Sequence, residues 1–168
     1  EGAEALRVAG LVPLVLEAKE GLALLNGTQM MTAIGVLACR EFEDLCVVTD
    51  IVGAMSAEAL GARVDAFEPV LAELRPHPGQ VEVARHMVEL LAGSELADRH
   101  GAERGQDAYS LRCIPQVHGA ARDICRMARG TIGVEINSVT DNPIVLDDGR
   151  IISCGNFHGQ PVAYAVDM

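Results

Sequence analysis

From Thr28 to about Leu60 the chain runs without a proline or a turn dipeptide, its longest unbroken stretch. Met30, Ala33, Ile34, Leu37, Ala38, Leu45, Val48 and Val52 recur there at roughly helical spacing. About 33 residues at a rise of 1.5 Å each predict a helix of roughly 50 Å. Arg40, Glu41, Glu43 and Asp44 fall midway and exclude a membrane-spanning reading, and no uncharged apolar run reaches the length of about 18 residues that a span needs. A helix this long and this apolar has to be covered by other helices. The 168-residue chain has few to offer. Self-association, or further sequence, is therefore implied.

The remaining punctuation also predicts a mainly α chain. Residues 2–12 have helical composition and Pro13 interrupts them. A second apolar stretch, Leu14 to Leu25, ends at Asn26-Gly27, a strong turn signal. Residues 61–79 carry Gly61, Pro69, Pro76, Pro78 and Gly79 and read as a connector. Val81, Ala84, Val88 and Leu91 mark one face of a short helix; 93–105 is polar and Gly-rich, a surface loop. After Pro115, Val117, Ala121, Ile124 and Ala128 mark the face of another helix, with Arg122, Arg126 and Arg129 elsewhere. Residues 144–153 predict a small β-hairpin around Asp148-Gly149. Pro161 suits the first turn of a last helix. The chain opens on Glu1, and 160–168 reads as a helix stopped in mid-turn, so the expectation is an internal fragment, the central part of one helical domain truncated at both ends.

Thirteen basic against 24 acidic residues leave a net charge of −11. That balance argues against nucleic acid or an anionic membrane as partner, since both attract basic patches. Lys19 is the only lysine. The five cysteines, Cys39, Cys46, Cys113, Cys125 and Cys154, form no C-x-x-C pair, and with no signal peptide in view free thiols in a reducing cytoplasm are expected. No two of His77, His86, His100, His118 and His158 lie three or four residues apart, so no metal site is expected. There is no phosphate-binding G-x-x-x-x-G-K and no G-x-S-x-G. Ser153 and His158 carry no diagnostic spacing for a triad.

Three polar clusters sit where helices should start or stop. In Leu25-Asn26-Gly27-Thr28-Gln29, either Asn-Gly bends the chain and Thr28 caps the long helix, or the Asn26 amide, donor and acceptor at once, points into a site. In Gln106-Asp107-Ala108-Tyr109-Ser110-Leu111-Arg112, spacing by three would project an amide, a phenol and a guanidinium from one side of a helical turn. Tyr can move a proton and Arg can bind a carboxylate bidentately; a surface helix start with a snorkelling Arg is the alternative. The third cluster joins residues 135–143 to 153–161. A helix end, an Asx turn and a hairpin explain Asp141, Asn142 and Pro143, but explain less well Asn156-Phe157-His158 between two glycines.

At these clusters the chain resembles the aromatic amino-acid lyase family, on its histidine branch. The strings are KEGLALLNGTQ, QDAYSLRCIPQVHG, EINSVTDNP and GNFHGQPVA, in the family's order and spanning Lys19 to Ala163. The resemblance implies a long-helix bundle of the aromatic amino-acid lyase / fumarase-aspartase type, in a homotetramer whose active sites draw on more than one subunit. It implies elimination of ammonia from L-histidine to give trans-urocanate without a metal, on a methylidene-imidazolone (MIO) electrophile made from an internal Ala-Ser-Gly. By the same resemblance Asn26 lies near MIO and the substrate amine, and Gln106 and Tyr109 line the pocket, Tyr109 with a possible part in proton movement. Arg112 holds the substrate carboxylate and Phe157 packs beside the MIO ring. Asn156 and His158 lie in the motif with weaker claims.

The chain also departs from the family pattern. It contains no Ala-Ser-Gly; Ala92-Gly93-Ser94 has the wrong order. The family's N-terminal tyrosine segment and its later acidic residue are absent too. The 168 residues alone are therefore expected to be inactive. Phenylalanine or tyrosine ammonia-lyase, or an aminomutase, is the alternative enzyme, and a non-catalytic helical oligomerisation module is the alternative of another class.

Overall fold

The computed structural model describes residues 1–97, 99 and 105–168. Part of the expected 93–105 loop thus lies outside the described residues. The helices are α1 (Gly2–Val8), α2 (Glu20–Asn26), α3 (Gln29–Ala59), α4 (Pro69–Leu74), α5 (Pro78–Leu91), α6 (Tyr109–Arg112), α7 (Ile114–Glu135) and α8 (Gln160–Asp167). Strands β1 (Ile144–Val145) and β2 (Ile151–Ile152) pair antiparallel, Ile144 opposite Ile152 and Val145 opposite Ile151. Gly149, at φ 82°, takes the left-handed position of the turn, as the Asp-Gly signal predicted. Among the described residues, no single helix is long and apolar enough to cross a membrane.

The long helix forms as its breaker-free sequence predicted, but Thr28 does not cap it. Thr28 is already helical (φ −83°, ψ −4°) and makes no side-chain cap bond; its carbonyl accepts instead from the backbone and hydroxyl of Thr32. Within 61–79 Pro69 and Pro78 start helices, and Pro76 lies between α4 and α5. A 3₁₀ turn, Val64–Phe67, leads into α4, and Pro69 and Pro78 occupy first-turn positions, where a missing N–H has no partner to lose.

α3 and α7 run antiparallel. Gly53 faces Ile114, Asp50 faces His118, Glu43 pairs with Arg129, and Gly35 faces Ile132. α5 crosses α7 so closely that a Cβ on Gly119 would lie 2.3 Å from the Gln80 nitrogen. The main core gathers at the C-terminal end of α3: Ala54, Ala57, Ala62, Phe67, Val83, Met87, Leu91 and Ile114.

The buried stripe of α3 is small and polar: Thr32, Gly35, Cys46, Asp50, Ala54 and Ala57. The apolar residues that announced the helix face outward, among them Met30, Ile34, Leu37, Leu45, Val48 and Val52. Register also differs on the other two helices. α5 buries Val83, Ala84, Met87 and Leu91, leaving Val81 and Val88 exposed, and α7 buries Arg122 while Val117 is exposed.

Candidate active site

Asn26 ends α2, and Gly27 then turns extended (φ −67°, ψ 151°), so the amide sits at the lip of a bend. Phe157 lies in the segment between β2 and α8. Both line a pocket of about 140 Å³ with Leu22, Ala23, Asp141 and Asn142. The turn beneath is tied by side chains: Asn142 Oδ1 accepts from the Cys154 backbone N–H at 2.8 Å and the Ser153 hydroxyl at 3.2 Å. Lys19 Nζ reaches across to Asp141 Oδ2 and donates to the Pro143 carbonyl, each at 2.5 Å. The Lys19 ammonium and the Asn142 N–H hold the Asp141 carboxyl below the ordinary carboxylate range.

A second, polar pocket of about 570 Å³ lies at the other end of α3. Gln106 and Arg112 line it with Arg63, Asp65, Glu68 and Asp107. Asp107 organises this region. It is buried, its carboxylate accepts from the Arg63 N–H at 2.7 Å, and its carbonyl accepts from Arg112 Nε at 2.9 Å. That arrangement also corrects the predicted spacing. Ala108 is extended (φ −53°, ψ 140°) and α6 begins only at Tyr109, so Gln106 is not on the helical turn. Gln106 and Arg112 share a pocket, whereas Tyr109, 75% exposed, is not among its lining residues.

Asn156 and His158 border a shallow groove with Glu135 and Ser138. His158 Nδ1 accepts from the Gln160 N–H at 3.2 Å, which ends the loop at the start of α8 and gives the imidazole a structural job.

The predicted residues therefore form two groups on one chain. Asn26 and Phe157 flank the start of α3; Gln106, Tyr109 and Arg112 flank its end. Thirty-one residues lie between, about 46 Å at helical rise.

Sequence reasoning missed a third constellation. Asp50, 2% exposed, has His86 Nδ1 at 2.9 Å, His118 Nδ1 at 3.0 Å and Arg122 Nη2 at 2.5 Å, which joins α3, α5 and α7. A lone carboxylate inside Val47-Val48-Thr49-Asp50-Ile51-Val52 was the available signal. No group of three or more His, Cys, Asp or Glu among the described residues could hold a metal ion.

A profile of the family described as aromatic amino acid lyase matches residues 1–168. The chain is 54% identical to a histidine ammonia-lyase from Anaeromyxobacter dehalogenans and 55% identical to one from Sorangium cellulosum, over 99% of its own length and 34% of theirs. It thus spans about a third of the length of these curated relatives. Among solved structures it superposes on a tyrosine aminomutase from Streptomyces globisporus with a TM-score of 0.87 at 37% identity, covering 99% of this chain and 36% of that one. For a histidine ammonia-lyase from Trypanosoma cruzi the TM-score is 0.82 at 40% identity, covering 98% and 30%. With the whole chain matched in sequence and the long-helix architecture matched in space, the chain belongs to the aromatic amino acid lyase family.

Proposed function

We propose that the full-length protein containing this chain is a cytoplasmic histidine ammonia-lyase that converts L-histidine to trans-urocanate and ammonia. The observation that carries the histidine reading is identity above 50% to proteins of that name along 99% of this chain. The geometry supports it with two pockets of complementary chemistry. Arg112, anchored through Nε by a backbone carbonyl, is oriented to grip a carboxylate with its planar fork. Gln106 beside it offers an amide to the same ligand. Asn26 and Phe157 put an amide and a phenyl face on the other pocket.

Those two groups fit an uncharged, flat electrophile: the amide hydrogen-bonds it and the ring walls it from water. The family's MIO would supply that electrophile, an acceptor for electron density from the substrate, from an Ala-Ser-Gly these 168 residues do not contain. Asn26 then holds the amine end of the substrate, Phe157 excludes water, Arg112 fixes the carboxylate and the Tyr109 phenol holds or moves a proton.

A homotetramer reconciles these roles with the 46 Å separation. The outward apolar face of α3 needs cover. Packing it against other copies lets one chain's Asn26 and Phe157 meet another's Gln106, Tyr109 and Arg112. On this reading the chain is the central part of one helical domain, and alone it is inactive.

The test is to assay the full-length protein with L-histidine, L-phenylalanine and L-tyrosine. Urocanate from L-histidine is expected. Turnover of only the other two would move the assignment to the phenylalanine/tyrosine lyases or aminomutases, and no turnover would leave a non-catalytic module. Urocanate formed by the 168 residues alone would refute an electrophile supplied from outside them.

A further inference from the structure

Lys19 is the only non-glycine residue with positive φ among the described residues (φ 71°, ψ −20°). A lysine has no intrinsic preference for that conformation, and such strain is held only where surrounding bonds over-determine it. Here the bonds are those of its ammonium to Asp141 Oδ2 and the Pro143 carbonyl. The pair is exposed, with side chains 41% and 38% accessible. An ion pair so exposed contributes little to stability, so stability is a poor reason to keep a strained backbone.

Position is a better reason. Lys19 immediately precedes α2, the helix that carries Asn26, and α2 buries none of its residues. Core packing therefore does not set where Asn26 stands. The link from Lys19, with the Gln29 Nε2–Thr140 Oγ1 bond at 3.1 Å on the other side of Asn26, ties this segment to the turn whose Asn142 binds Ser153 and Cys154, a few residues before Phe157. One polar chain thus joins both walls of the Asn26–Phe157 pocket.

We propose that Lys19 is a positioning residue for the lyase reaction: paired with Asp141, it locks α2 against the 139–143 turn and sets the separation of Asn26 and Phe157. The role rests on the lyase reading above only for its catalytic consequence. The Lys19 contact also holds the Asp141 carboxyl below the ordinary carboxylate range.

The experiment compares Lys19→Met, Lys19→Arg, Asp141→Asn and the double variant Lys19→Met/Asp141→Asn in the full-length protein. With L-histidine, Lys19→Met should lower kcat about tenfold or more while KM moves less than about threefold. Lys19→Arg, which keeps the cation, should recover most of the loss. Asp141→Asn should resemble Lys19→Met, and the double variant should be no worse than the poorer single one. Hydrogen exchange supplies a readout independent of turnover: amides 20–27 should exchange about tenfold faster in Lys19→Met, with α5 and α7 unchanged. A Lys19→Met kcat within about twofold of wild type, or effects that multiply in the double variant, would overturn the role. A wild-type protein inactive on L-histidine refutes the function, and exchange alone then decides: raised exchange in 20–27 sustains the lock, and unchanged exchange ends it.

Discussion

Replacing Asp50 by alanine tests the packing of the three central helices at its least forgiving point. The carboxylate is 2% exposed and meets three donors, His86 Nδ1 at 2.9 Å, His118 Nδ1 at 3.0 Å and Arg122 Nη2 at 2.5 Å. The two imidazoles have side chains 25% accessible and regain water on losing the carboxylate, so each costs only about 0.5–1.5 kcal/mol. Arg122 is different. It is 8% exposed, its Nε already lacks a partner, and after the loss of Asp50 it keeps only the Cys46 carbonyl at 2.9 Å and Glu82 at 3.3 Å. A buried cation left with only the longer Glu82 pair dominates the sum, and Asp50→Ala should cost about 3 kcal/mol or more. Asp50→Asn keeps the shape and one acceptor and should cost about 2–3 kcal/mol, the worth of a charged hydrogen bond. Adding Arg122→Met to Asp50→Ala removes the stranded cation, so the double variant should be more stable than the two single losses predict, by about 1–3 kcal/mol. Urea unfolding of the full-length variants reads all three as midpoint shifts at constant m. A loss below about 1 kcal/mol for Asp50→Ala, or strict additivity in the double variant, would refute the account of Asp50 as the charge that makes Arg122 tolerable in the interior.

Gly119→Ala should destabilise by about 1–3 kcal/mol or more, because its Cβ would meet Gln80 backbone at 2.3 Å, whereas Gly130→Ala on the same helix meets nothing within 4 Å and should stabilise by about 0.5–1 kcal/mol; thermal melts compare them. The Asp141 carboxyl is depressed by Lys19, then by the Asn142 N–H, so its link is complete above the ordinary carboxylate value of 3.8 and is lost as pH falls through the lower folded value; carboxyl NMR should find that titration moved back up in Lys19→Met. Burial pushes the Cys125 thiol above its ordinary 9.0, so in the folded protein it should alkylate more slowly at neutral pH than in urea, by mass spectrometry of the labelled peptide. Full-length Asn26→Ala and Arg112→Ala subunits, each inactive, should recover about a quarter of wild-type activity when co-assembled, because half the chains carry each intact half-site and a shared site draws on two; no recovery would refute sharing.

Local signals were legible and distant ones were not. The breaker-free run from Thr28 placed α3 within a residue at either end, and Asp148-Gly149 placed the hairpin, because both depend on residues near one another in the chain. On α5, apolar residues occupy 81, 83, 84, 87, 88, 90 and 91, enough for two faces. The close contact of Gly79 and Gly119 selects Val83 and Met87, and that contact joins residues forty apart. Arg122, one of three arginines spaced along α7, reads as part of a solvated face until Asp50, 72 residues away, is known to sit opposite. The polar strings supplied the candidate site residues but could not show that Gln106 would lie off the helical turn, before an extended Ala108.

The inversion on α3 shows why pattern and packing diverged most at the feature that was easiest to read. An apolar period identifies the helix but not what covers it. Within the chain, α7 approaches along the face where Gly35 and Gly53 leave room for Ile132 and Ile114, so the small and polar side is buried. The larger side chains, Ile34 at 59% and Leu37 at 65% exposure among them, remain outward. A face of that kind along about 46 Å of rigid helix is stable only when covered. The same rigidity keeps Asn26 and Arg112 at opposite ends of one chain, because no bend in α3 can bring them together. If the two half-sites act on one substrate, a second copy has to bring them together, and the face that needs covering is the one along which it would lie. Exposure of the apolar stripe and separation of the site residues thus both follow from a long, rigid helix that these 168 residues do not enclose.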